Sequence, residues 1–143
     1  MNQRGPIIII EDDLDDQELL TEVFRELAYE NPIRFFTSGY DALDYLNTTH
    51  EKPFIILSDI NLPKLSGIEL RDKIMQNELL RLKCIPYLFF TTAASQQAIV
   101  DAYSNSAQGF FVKPTNYNHL VTVIRKIIDY WLECRSPNYI SGV

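Results

Sequence analysis

The chain has 143 residues, 46% of them hydrophobic and 22% charged, which suits one globular domain with a real core and leaves little room for a second. Its net charge of -6 argues against a broad nucleic-acid-binding surface, and no apolar stretch approaches the length of a membrane span. The N-terminus has no signal-peptide pattern, so a cytoplasmic location is expected. Cys84 and Cys134 are far apart, match no metal spacing, and read as ordinary thiols of a reducing compartment.

Short apolar runs alternate with helical patterns along the chain. Strands are expected near Ile7–Glu11, Ile33–Thr37, Phe54–Asp59, Pro86–Thr91 and Gln108–Val112. The runs at positions 7, 54 and 87 are continuous, as in parallel strands covered on both faces. A first helix carries an apolar stripe of Leu19, Leu20, Val23, Phe24 and Leu27. A second carries Ala42, Leu43 and Leu46, with Ser38 placed to cap it. Ile68, Leu70, Ile74 and Met75 mark a third, and Ala98, Ile99, Ala102 and Tyr103 a short fourth. Leu120, Ile124, Ile127, Ile128 and Trp131 mark a long fifth. Residues 1–6 read as a lead-in, 7–134 as the domain and 135–143 as a tail.

Strict alternation implies an α/β fold: a doubly wound parallel sheet with right-handed crossovers and helices on both faces. Ligands of such sheets bind outside the carboxyl ends of the strands. Here those ends carry Glu11-Asp12-Asp13, Asp59, Thr91-Thr92 and Lys113-Pro114.

Acids from two strands in one crevice repel. Two carboxylates at about 4 Å cost roughly 4 kcal/mol at an effective dielectric near 20. A hard divalent cation such as Mg²⁺ relieves this with oxygen ligands. The plainer reading is an acid cluster favoured by a helix N-terminus; it suits Asp13, whereas Asp12 and Asp59 suit a metal. A lone lysine at a strand end is usually a solvated charge. Pro114 after Lys113 permits a tight, even cis, turn that aims the amine inward. Thr91 and Thr92 both offer a hydroxyl, and either could simply finish a strand. His50 and His119 lie in polar stretches and receive no catalytic role.

Four segments together carry a specific resemblance: Ile-Ile-Glu-Asp-Asp at 9–13, Ser-Asp-Ile-Asn-Leu-Pro-Lys-Leu-Ser-Gly at 58–67, Phe-Thr-Thr-Ala at 90–93, and Gly-Phe-Phe-Val-Lys-Pro at 109–114. In this order and spacing the chain resembles the bacterial two-component response regulator receiver domains, from Ile7 to about Glu133. The resemblance implies a flavodoxin-like (βα)5 sheet of five parallel strands in the order 2-1-3-4-5. It implies Asp59 as the phosphoacceptor, Lys113 on the phosphoryl group, and Thr91 as the switch hydroxyl with Phe110 as its moving aromatic. It implies Mg²⁺ held by Asp12, Asp59 and the Asn61 backbone carbonyl, with Glu11 acting through water. Pro63 and Gly67 would shape the loop after Asp59.

Departures from the family pattern are Glu11 for the commoner aspartate, Ser106-Ala107 for Gly-Ala, Phe110 without a tyrosine hydroxyl, and a long third crossover at Asn77–Cys84. As implied by the resemblance, the chain is a phosphoacceptor with self-catalysed transfer and autodephosphorylation, not a turnover enzyme. Its partners would be a sensor histidine kinase or a phosphotransfer protein. With no DNA-binding or enzymatic domain following, output is expected through protein contact at the fourth helix, fifth strand and fifth helix, where Val121, Val123 and Tyr130 add apolar surface. That end is similar to stand-alone receivers paired with phytochrome-type kinases, which implies a homodimer through this face. No direct nucleic-acid contact and no membrane insertion are expected.

Three other readings fit the residues less well. A haloacid-dehalogenase-type phosphohydrolase wants a second acid where Asn61 stands, and its nucleophile usually ends the first strand. A phosphorylation-independent adaptor has no use for Asp12, Asp59, Thr91 and Lys113 together. A flavin binder is opposed by the acidic loop after the first strand.

Overall fold

The computed structural model describes residues 1–92 and 94–135; Ala93 and the expected tail from Ser136 lie outside them. In chain order the elements are β1 (Ile7–Ile10), α1 (Leu14–Leu27), β2 (Ile33–Phe36), α2 (Gly39–Thr48), β3 (Ile55–Ser58), α3 (Gly67–Gln76), α4 (Glu78–Arg81), β4 (Tyr87–Thr91), α5 (Gln96–Ser104), β5 (Gly109–Val112) and α6 (Tyr117–Glu133). All strand pairs are parallel, in the order β2-β1-β3-β4-β5. This is the doubly wound sheet expected, with its switch point between β1 and β3.

The unbroken apolar runs arise from burial on both faces. Along each strand the side chains alternate. Ile7, Ile9, Ile55, Leu57, Leu88 and Phe90 face a core completed by Leu20, Val23 and Phe24 of α1 and Leu120, Ile124 and Ile128 of α6. Ile8, Ile10, Ile56, Tyr87 and Phe89 face the other, completed by α2, α3, α4 and α5. Each fully buried isoleucine or leucine stabilises by about 1.5–3 kcal/mol, so these layers hold the strand ends in register.

The helix starts follow local chemistry. The Asp13 carboxylate caps α1 by accepting from the Asp15 and Asp16 amides. Ser38 caps α2, and Ser66 with Glu69 forms a reciprocal capping box at α3. The long third crossover contains an additional helical turn, α4, capped by Asn77. The helices expected as fourth and fifth are therefore α5 and α6.

Several side chains lie elsewhere than their sequence periods imply. Leu19 is 40% exposed at the edge of the α1 stripe, and Tyr103 is 53% exposed on α5. Val121 is buried and Val123 half-buried, because α6 packs through a broad face; Tyr130 alone of the three expected surface residues is exposed. The lead-in is anchored: the Asn2 amide donates to Pro53 O, and Asn31 Nδ2 donates to the carbonyls of Gln3 and Gly5. Both cysteines are free thiols, and among the described residues no helix is long and apolar enough to cross a membrane.

Candidate functional site

Four strand ends converge at one rim of the sheet. Ile10 pairs with Ser58 and Ser58 with Phe89, so the residues that follow, Glu11 and Asp59, emerge side by side. The Asp59 amide donates to Ile10 O at 3.0 Å, and the Glu11 amide to Phe36 O at 2.9 Å. On the other side the Lys113 amide donates to Thr91 O at 2.7 Å. Backbone bonds thus seat the acids and the lysine before any side chain is considered.

Asp59 is buried and fully engaged. Its Oδ1 accepts from Thr91 Oγ1 at 2.8 Å and from the Asn61 amide at 3.1 Å; its Oδ2 accepts from Lys113 Nζ at 3.2 Å. Burial pushes the Asp59 carboxyl up, but the bond to Glu11, the Lys113 charge and the Thr91 hydroxyl outweigh it and hold the carboxyl below its usual range. Glu11 behaves oppositely. Burial, with the bond to Asp59, pushes it up to about 8 despite the lysine. Of the two neighbouring carboxyls, Asp59 has the larger donor set and carries the charge.

The lysine is a three-way hub. Its amine lies 2.9 Å from Glu11 Oε2, 3.2 Å from Asp59 Oδ2 and 3.3 Å from Asp16 Oδ2. Burial opposes its charge, yet these acids raise its pKa above the ordinary lysine value. All peptide bonds among the described residues are trans, so Lys113 is aimed inward by its acidic partners and not by a cis turn at Pro114.

Thr91 is fully buried and Thr92 exposed, since consecutive strand residues face opposite ways. Phe110 is half-buried with its ring 5.9 Å from that of Phe89, beside the rim. Pro63 and Asn61 lie on the exposed loop, and Lys64 takes a left-handed backbone, φ 67°. The loop returns to α3 at Gly67, whose amide donates to Ile60 O at 2.9 Å. A Cβ at Gly67 would stand 2.1 Å from the Asp59 carbonyl oxygen, so only glycine permits the approach.

One expectation needs correction. Glu11, Asp12 and Asp59 do not form a ready cluster: Asp12 is exposed, and among the described residues no three acidic side chains are gathered as a metal-binding group. The reason is local. Glu11 and Asp12 are consecutive at a strand end and diverge, while Lys113 neutralises the acids that turn inward. The chemistry still fits a hard divalent cation. One ammonium faces three acidic side chains, with Asp12 next to Glu11 in the chain, and oxygen ligands of this kind suit such a cation.

Two residues were missed by sequence reasoning. Asp16 lies in the first turn of α1, and that place brings it to Lys113. Arg71, on α3, carries no signal in the sequence for its burial, which only the tertiary fold reveals.

The sequence profile of the family described as the response regulator receiver domain matches residues 7–125. The probable methanogenesis regulatory protein FilR2 of Methanothrix harundinacea (strain 6Ac) is 34% identical over 137 residues, covering 92% of this chain and 86% of that protein. The response regulator Rcp1 of Synechocystis sp. (strain ATCC 27184 / PCC 6803 / Kazusa) is 29% identical over 132 residues, 89% of this chain and 88% of its own. Its Mn²⁺-bound crystal structure superposes with a TM-score of 0.78 at 26% identity, over 93% of this chain and 97% of that one. RPA3017, a response regulator in red light signaling of R. palustris, does so with a TM-score of 0.81 at 28% identity, over 92% and 96%. The profile match takes in every strand and the whole rim, and the chain belongs to the response regulator receiver domains, the signalling modules of two-component systems.

Proposed function

We propose that Asp59 accepts a phosphoryl group from the phosphohistidine of a sensor kinase or phosphotransfer protein. The observation that carries this reading is the Asp59 carboxylate itself: buried, held charged, and bonded to one hydroxyl, one amide and one ammonium that can each follow a transferred phosphoryl oxygen.

A carboxylate oxygen of Asp59 forms the new P–O bond as the P–N bond to the donor imidazole breaks, and the imidazole nitrogen takes a proton. Lys113 shifts from Oδ2 to an equatorial phosphoryl oxygen, keeping its charge beside the transferring group. A divalent cation, Mg²⁺ in this reading, would be held by Asp12, Asp59 and the Asn61 carbonyl, with Glu11 through water, and would supply charge neutralisation during transfer. The product adds roughly -1.5 to -2 charge and three strong acceptors. Thr91 turns toward it, Phe110 moves into the space released, and the α5-β5-α6 surface is remodelled. That surface exposes Tyr103, Val112 and Tyr130, which suits a protein partner or a second copy of the chain. Work in the cytoplasm alongside a histidine kinase is part of the same proposal.

The test is incubation of the chain with Mg²⁺ and acetyl phosphate, followed by intact mass. One phosphoryl group is expected on the parent and none on Asp59→Asn. Equal phosphorylation of Asp59→Asn would sink the assignment, and steady release of phosphate from small phosphoesters would point to a hydrolase.

A further inference from the structure

Arg71 is buried, at 4% exposure, and among the described residues no carboxylate lies within ion-pair distance of it. A buried charge without a counter-charge is costly and needs another source of stabilisation. Arg71 has two. Its Nε donates to Asn105 O at 3.1 Å and its Nη2 to Ser106 O at 2.8 Å, across more than 30 residues of chain. Its guanidinium also lies 5.3 Å from the centre of the Tyr87 ring.

The placement is specific. Asn105 is the C-cap of α5, and Ser106 follows it with a left-handed backbone, φ 62°, where the family's usual residue is glycine. Carbonyls at a helix C-terminus carry partial negative charge and lack helical donors. A planar fork answers the C-cap carbonyl of Asn105 and the next carbonyl, that of Ser106, at once, which an ammonium cannot do. Beneath the guanidinium, Tyr87 Oη donates to Gly67 O at 2.8 Å, and Gly67 is the residue pressed against the Asp59 carbonyl. A continuous run of contacts therefore joins the loop behind Asp59 to the far end of α5.

We propose that Arg71 is a positioning residue that pins the C-terminal end of α5 to α3 and to the Asp59 loop, so that the switch at Thr91 moves α5 from its N-terminal end only. This rests on the reading of Asp59 as phosphoacceptor. The N-terminal end of α5, at Gln96, is the next element after β4, which ends at Thr91, and it is exposed. One driven end and one pinned end convert a small shift into a tilt. Without the pin, the same shift would loosen the helix along its length.

The test is hydrogen exchange on the full chain, with and without Mg²⁺ and beryllofluoride, in the parent, Arg71→Met and Arg71→Lys. In the parent, beryllofluoride should change exchange near residues 94–98 and leave residues 102–107 protected. In Arg71→Met, exchange at 102–107 should rise about tenfold before any ligand is added. The ligand-induced change should then spread over 96–107, with beryllofluoride affinity within about twofold of the parent. Arg71→Lys keeps the charge but not the fork, and should fall between. Parent-like exchange in Arg71→Met would overturn the proposal. Should Arg71→Met not fold, Arg71→Lys decides: a rise at 102–107 supports the pin, and parent-like protection overturns it. Failure of the parent to bind beryllofluoride removes the phosphoacceptor reading and the coupling built on it, before any variant is measured.

Discussion

The Lys113 ammonium lies closer to Glu11 than to Asp59, 2.9 Å from Oε2 against 3.2 Å from Oδ2. Even so, it is Glu11 that holds the proton. Asp59 has two further donors in Thr91 and the Asn61 amide, whereas Glu11 has one long contact from the Asp13 amide. Where two acids share one cation, the acid with more donors ionises first.

This makes the metal-free protein sensitive to pH. Glu11 is raised from 4.5 to about 8 by burial, so the fold favours its protonated form. Its stabilising contribution is complete below the ordinary carboxylate pKa and is lost as pH rises through about 8. Thermal midpoints of metal-free protein should fall over that range, and Mg²⁺ should restore them at the alkaline end. Glu11→Gln, which mimics the protonated form, should flatten the profile; an unchanged slope would show that Glu11 is not the titrating group.

Lys113→Met leaves Glu11, Asp16 and Asp59 without their shared cation. Breaking a buried pair costs about 3–5 kcal/mol, softened to about 2 kcal/mol here because Glu11 can stay protonated. The midpoint should drop by about 4–8 °C without metal. Calorimetry with added Mg²⁺ should recover much of the loss, while acetyl phosphate should no longer modify Asp59 at a measurable rate. A variant as stable as the parent in the absence of metal would contradict the hub geometry.

At Gly67 even one methyl group is excluded. The atom it would strike is the Asp59 carbonyl oxygen, a backbone atom that cannot swing aside, and Ser58 Oγ lies 2.9 Å away on the same side. Gly67→Ala should cost about 2–3 kcal/mol and slow phosphorylation of Asp59. Resistance to chemical denaturation and the phosphorylation rate should fall together.

A gain is expected at the end of α1. Ala28 caps that helix with a left-handed backbone, φ 56° and ψ 37°, and its amide donates to Phe24 O. Relief of the Cβ crowding exceeds the added chain entropy, so Ala28→Gly should stabilise by about 0.5–1 kcal/mol. That is a rise in midpoint of about 2–3 °C. A lower midpoint would mean that the alanine methyl contributes packing there.

The alternating elements and the chemistry at the strand ends were legible in the amino-acid sequence, for local reasons. Four consecutive isoleucines ending in Glu11 can hardly be other than a strand buried on both faces, and Asp13 caps α1 through amides only two and three residues away. Even Asp59, Thr91 and Lys113 could be named as candidates, because each follows or ends an apolar run. What stayed hidden depends on separation along the chain. Lys113 meets Glu11 across 102 residues and Arg71 meets the end of α5 across 34, and no local pattern encodes either meeting.

Only the folded sheet decided which of two adjacent groups points inward: Glu11 and not Asp12, Thr91 and not Thr92. The pleat gives neighbours opposite directions, and the register with the next strand sets which direction is the pocket. The same holds for Val121, buried by the breadth of the α6 contact, and for Arg71, whose charge is tolerated because another helix ends beside it. Composition and period belong to the chain itself; the pairing of distant charges belongs to the packing that brings their elements together.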